Sequence, residues 1–75
     1  MGRLTCTITL SGELDPRFDG AFDGLTLTSH EGRSRLHGEL ADQSQFQGVL
    51  RRLFDLGLDV VAATAEPVSV SVDTL

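Results

Sequence analysis

The stretch Leu36–Val61 constrains this chain most, because it encodes a strand, a capped amphipathic helix and a second strand with almost no spare residues. Leu36, Gly38 and Leu40 alternate with Arg35, His37 and Glu39, the period-two pattern of a half-buried strand. Asp42 can accept a hydrogen bond from the backbone of residue 45, and Gln45 can reach back to the Asp42 amide, which makes an Asp-x-x-Gln variant of the capping box. Phe46, Val49, Leu50, Leu53 and Phe54 keep i, i+3, i+4, i+7, i+8 spacing and form one apolar stripe. Gln43, Gln47, Arg51, Arg52 and Asp55 fall largely outside it, and Gly57 stands where a left-handed C-terminal cap is needed. Gly48 costs the helix about 1 kcal/mol relative to Ala, which predicts that a strand or another helix approaches closely there. Beyond the cap, Leu58–Ala63 reads as a strand, and its near-continuous apolar run predicts that it is more enclosed than the others.

Upstream, Leu4, Cys6, Ile8 and Leu10 alternate with Thr5, Thr7 and Thr9, again a half-buried strand. Ser11–Gly24 reads as a loop, with one helical turn opened by Asp15 and Pro16 that would put Phe18 and Phe22 on a shared face. Leu25 and Leu27 alternate with Thr26 and Thr28, and Gly32 within Ser29–Arg33 makes a hairpin to the next strand the natural connection. Three strands that are aliphatic on one side and carry Thr, Arg, His and Glu on the other predict a sheet covered on a single face. The helix is the cover. After Pro67, Val68, Val70 and Val72 alternate with Ser69, Ser71 and Asp73, which fits an edge strand, a strand donated to another subunit, or a frayed tail. The predicted fold is a single α+β domain over residues 1–75, of order β-β-β-α-β. Its small antiparallel or mixed sheet is roofed by one helix, and a fifth C-terminal strand is left open.

Seventy-five residues bury only about 60% of the unfolded surface, so a monomer is modestly stable and self-association, as a homodimer, is expected. Six Arg and no Lys against eleven acidic residues give a net charge of −5, which argues against nucleic acid and anionic membrane surfaces as partners. The single Cys6 cannot form an internal disulfide, and Leu4–Leu10 is too polar and short for a signal peptide's apolar region or a membrane span. The expectation is a soluble cytoplasmic protein.

The string Leu36-x-Gly38-x-Leu40-x-Asp42-Gln43-x-x-Phe46-x-Gly48-Val49-Leu50-x-x-Leu53-x-x-Leu56-Gly57-Leu58-x-Val60 resembles a pattern of small uncharacterised proteins of actinobacterial type. In those proteins an Asp-Gln pair opens a Leu-rich helix that closes at Leu-Gly-Leu before a final strand. The resemblance covers about a third of the chain and implies a fold, since no activity attaches to such proteins as a class. The helix-to-strand junction is also similar to that of ACT-type ligand-binding domains, but three strands precede this helix and a second helix is missing.

His30 and His37, with Glu31 and Glu39 nearby, have ligand-type chemistry, yet two histidines seven residues apart, one in a turn and one on a polar strand face, read as unliganded surface residues. Glu13, Asp15, Asp19 and Asp23 lack the Asp-x-Asp-x-Asp-Gly spacing that converges oxygens on Ca²⁺. Cys6 falls on the aliphatic side of its strand and reads as core. Gln43 is not required by periodicity, and its amide suits either the strand-to-helix turn or a partner's backbone. No nucleophile–base pair, paired acid motif, phosphate loop or metal signature is present in the sequence, so neither an enzyme nor a cofactor is expected. The leading expectation is a self-associating interaction module that acts through a sheet face or the C-terminal strand. Its candidate binding residues are Gln43, Gln47, Thr7, Thr26, His37, Val68, Val70 and Val72. The alternative is a small-molecule-binding regulatory domain with a pocket between sheet and helix or at a dimer interface.

Overall fold

The structure, a computed structural model, describes residues 3–18 and 20–68. Four strands, β1 (Leu4–Ser11), β2 (Leu25–His30), β3 (Arg33–Leu40) and β4 (Val60–Pro67), form one sheet in the order β2-β3-β1-β4, and α1 (Gln43–Asp55) links β3 to β4. Every neighbouring pair is antiparallel, so the sheet is purely antiparallel. Because β3 and β4 both run against β1, they point the same way, and the helix carries the chain from one to the other over β1.

The β2–β3 connection is shorter than the hairpin predicted from Ser29–Arg33. His30 pairs with Arg33, leaving a two-residue turn of Glu31 and Gly32 at φ 51° and 79°. Positive φ at both central residues is the type I′ geometry whose twist matches the flanking strands. Gly38 has a different reason to be glycine: it sits at φ 154°, and a Cβ there would collide with the Gly24 carbonyl oxygen. The start of β2 can therefore lie against β3 only because Gly38 has no side chain.

The predicted cap forms with one change. Asp42 accepts from the Gln45 amide at 2.9 Å, but the Gln45 side chain accepts from the Ala41 amide at 2.7 Å instead of from Asp42. The donor satisfied lies one residue further out, and the strand-to-helix turn is fastened there. At the other end Leu58 N–H donates to Leu53 O and Gly57 N–H to Phe54 O, which together form a Schellman closure.

Leu4, Cys6, Ile8 and Leu10 of β1, Leu25 of β2, and Leu36 and Leu40 of β3 bury against Phe46, Val49 and Leu53 of the helix. The apolar stripe is narrower than its spacing predicts: Leu50 is only half-buried, and Phe54 is 61% exposed. A helix over a four-stranded sheet meets it along one line of contact, and Phe54 lies beyond that line. Phe22, from the loop between β1 and β2, fills part of the remaining space with Arg52 stacked over its ring at 5.5 Å. That loop contains the expected single turn, a 3₁₀ turn Pro16–Phe18 in which Asp15 Oδ1 accepts from the Arg17 amide. Phe22 enters the core, whereas Phe18 is half-buried.

Two further expectations are overturned. A Cβ at Gly48 would meet nothing within 4 Å, so no element approaches it closely, and the residue faces open space. The final strand runs Val60–Pro67 rather than Leu58–Ala63 and is mostly exposed, with Val61 at 52%. Its apolar run predicts enclosure, but among the described residues β4 is an edge strand with β1 on one side only. Pro67 sits opposite Leu4 as the last residue of this strand. Among the described residues no helix is long and apolar enough to cross a membrane.

These differences in burial order the stability effects. Leu53→Ala should cost about 2–5 kcal/mol and Leu50→Ala clearly less. Gly48→Ala should stabilise by about 1 kcal/mol, since open space receives the methyl and the helix gains propensity. Urea midpoints at constant m-value check the three together.

Candidate functional site

The antiparallel registers assemble the polar side chains of the sheet into rows. Thr26, His37, Thr7 and Thr64 form one row across all four strands, and Thr28, Arg35, Thr9 and Ala62 form the next. His30, Arg33 and Ser11 continue the face at the hairpin end, and Glu39, Thr5 and Glu66 close the other end. The open face is therefore a basic ridge of Arg33, Arg35 and His37 along β3, with threonines on both shoulders.

Two of the acidic groups near the ends of this face, Glu39 and Glu31, are engaged locally. Arg3 meets Glu39 Oε1 at 3.0 Å through both Nε and Nη2, and His30 Nε2 lies 3.7 Å from Glu31 Oε2. Both pairs are exposed, so each contributes little to stability. Arg33 and Arg35 have no carboxylate within 4.0 Å among the described residues. A hollow of about 670 Å³ opens over them, walled by Thr9, Thr28, His30 and Val61.

The loop beneath one end of the sheet is held by Ser34, the one buried polar residue of the described core. Its hydroxyl donates to Gly12 O at 2.8 Å and accepts from the Leu14 amide at 2.7 Å. Glu13 accepts from the Gly32 amide at 3.0 Å, so the loop is tied to the hairpin turn as well. The acidic loop thus spends Glu13 and Asp15 on backbone amides. Among the described residues no group of three His, Cys, Asp or Glu side chains is arranged to hold a metal ion.

Of the residues singled out in the sequence, Thr7, Thr26 and His37 come together in a single row, with Thr64 completing it. Gln43 and Gln47 lie on the exposed face of the helix, separated from that row by the sheet, and Asp42 and Gln45, not Gln43, fasten the turn. Gln47 borders a second hollow, with Gly48, Leu50, Arg51 and Phe54. Val68 donates its amide to Arg3 O at 2.9 Å beyond the end of β4, whereas Val70 and Val72 lie outside the described residues. Arg33, Arg35, Thr9 and Thr28 were not among the candidates. The signal was present, since Arg33 and Arg35 share the parity of His37, but alternation does not reveal which neighbouring strands flank them.

Such a molecule is a small α+β domain with an open antiparallel sheet, one roofing helix and a polar, partly basic outer face. The chain belongs to a family defined as a domain of unknown function (DUF8691), whose model matches residues 5–64. No curated protein and no solved structure matches the chain.

Burial also raises the Cys6 thiol above its ordinary value of 9.0, because the side chain is 1% exposed in an apolar setting. The folded state thus favours the protonated thiol, and this contribution to stability is complete below pH 9.0 and declines as pH rises through the higher folded value. Wild-type stability should therefore fall more steeply above about pH 9 than that of Cys6→Ala, and denaturant titrations at several pH values measure the difference.

Proposed function

We propose that this domain is a non-enzymatic interaction module that self-associates by pairing the free edge of β4 with β4 of a second copy. The observation that carries the reading is the edge itself. From Val60 to Ala65 it bears no charge, no proline and no covering element among the described residues, whereas sheet edges are ordinarily blunted by one of these.

The ladder geometry supports the same partner. Val68 N–H bonds inward to Arg3 O, so the alternation of an antiparallel ladder turns the N–H and C=O groups of Ala63 and Ala65 outward. Pro67 follows in the same phase, where its missing N–H takes nothing from the β1 ladder. A two-fold pairing centred on Thr64 sets Ala63 against the second copy's Ala65, and Glu66 against its Ala62. No like charges oppose each other, and the result is a continuous eight-stranded sheet with the helices on one side.

The groups that would perform chemistry have structural work elsewhere, which supports the non-enzymatic reading: Cys6 is core, and Glu13, Asp15 and Asp42 hold backbone amides. A free buried thiol favours a reducing compartment, so we place the protein in the cytoplasm. The actinobacterial-type string of Leu36–Val60 favours a bacterial source.

Sedimentation equilibrium of the full chain should show a dimer. Thr64→Lys, which opposes two cations at the axis, and Ala63→Pro, which removes an outward N–H only, should both give monomers with unchanged far-UV circular dichroism. A wild-type chain that stays monomeric at high concentration, or variants that stay dimeric, would overturn the reading.

A further inference from the structure

We propose that the hollow on the open sheet face binds the phosphate of a small organic phosphate monoester between Arg33 and Arg35. Edge pairing extends the sheet sideways without covering this face, but it sets the second copy's Glu66 opposite Ala62 on the β4 side of the hollow, so the proposal does not need self-association and is best tested at concentrations where the chain is monomeric.

The charge distribution carries the argument. The chain has a net charge of −5 and acidic residues in nearly every loop, yet two guanidinium groups on one face have no carboxylate within ion-pair distance among the described residues. They lie two residues apart on β3, so their backbones are separated by roughly 7 Å. Their long side chains can converge on one oxyanion from two sides, each offering a fork of donors. Thr9 stands directly across from Arg35 on β1 and Thr28 on β2, so hydroxyls flank the ridge on either hand. The Thr28 hydroxyl has only a 3.5 Å contact to Arg35 O to give up. His30 adds a further nitrogen at the hairpin end. Two neighbouring cations match a dianion better than a single carboxylate, and this favours a phosphate monoester.

The walls set the size and the remainder of the ligand. At about 670 Å³ the hollow suits a small molecule. Val61 and Ala62 form its β4 side, an apolar surface on which an organic moiety can rest. Val61 is there because the β1–β4 register shifts between Thr9 and Leu10, a bulge that places an additional residue beside Thr9. Glu31, which also lines the hollow and lies 3.7 Å from His30, together with Glu66 at the far end of the face, disfavours additional phosphates. A single phosphate is admitted and a nucleic acid backbone is not.

The test is a ¹H–¹⁵N NMR titration of the full chain with phenyl phosphate, inorganic phosphate and benzoate, each against sodium chloride of matched ionic strength. Phenyl phosphate should give saturable shifts at Thr9, Thr28, Arg33, Arg35 and Val61. Inorganic phosphate should shift the same amides more weakly, and benzoate should bind at least about tenfold more weakly than phenyl phosphate. The exposed double substitution Arg33→Gln/Arg35→Gln, checked for unchanged amide dispersion, should weaken phenyl phosphate at least about tenfold. Shifts no larger than those from chloride, shifts centred on Arg51 and Arg52, or a double variant that binds as well as wild type would overturn the proposal. Benzoate binding as tightly as phenyl phosphate would overturn the assignment to phosphate.

Discussion

The contact on which the rest of this structure depends is that between the aliphatic face of β1 and the buried line of α1. Leu4, Cys6, Ile8 and Leu10 come from β1, an interior strand flanked by β3 and β4, and they are buried in one cluster with Phe46, Val49 and Leu53. At roughly 1.5–3 kcal/mol for each large apolar side chain removed from water, this cluster is the main force opposing chain entropy in so short a domain. One helix can roof only one face of a sheet. The polar face of β1 must then meet water or a partner, and at least one edge strand must go uncovered.

The roof alone does not close the core, and the loop between β1 and β2 completes it. Phe22 enters beside the helix under Arg52, and Ser34 pins Gly12 and Leu14 with two short hydrogen bonds in a place hidden from water. A buried hydroxyl with both its donor and acceptor capacity used fixes the loop's path, because any other path would leave polar groups unpaired. The close approach of Gly24 to Gly38 brings the chain back into β2 at a distance no other residue pair would allow. These contacts give a loop rich in glycine and acid a defined position against the hairpin.

The outer surface follows from the same economy of elements. Every strand contributes its second parity to the open face, so residues far apart in sequence become neighbours: Thr28, Arg35, Thr9 and Ala62 lie side by side because strand order, not chain order, decides adjacency. The basic ridge on β3 gains its threonine shoulders in this way, and the stretch Val60–Ala65 of β4 is left as an uncharged border. The proposed edge pairing and the proposed anion site draw on different parts of one sheet, since the first uses the backbone in the sheet plane and the second uses side chains above it.

Much of the architecture was legible in the residues. Alternation marked the strands, Asp42 and Gly57 marked the helix ends, and parity assigned Cys6 to the core and His37 to the polar face. The misreadings share one cause. The sequence reads Gly48 as a packing site and Val60–Ala63 as enclosed, because composition reports what a side chain prefers and not whether a neighbour exists to satisfy it. Arg33 and Arg35 do not stand out in the sequence for the same reason. By itself the sequence determined the elements, their ends and the direction each side chain leaves the backbone, all of which depend on local dihedral geometry and hydrogen bonds within a few residues. Tertiary structure alone decided which strand became central, which edge stayed bare and which side chains met across the sheet, because those outcomes depend on contacts between segments distant along the chain.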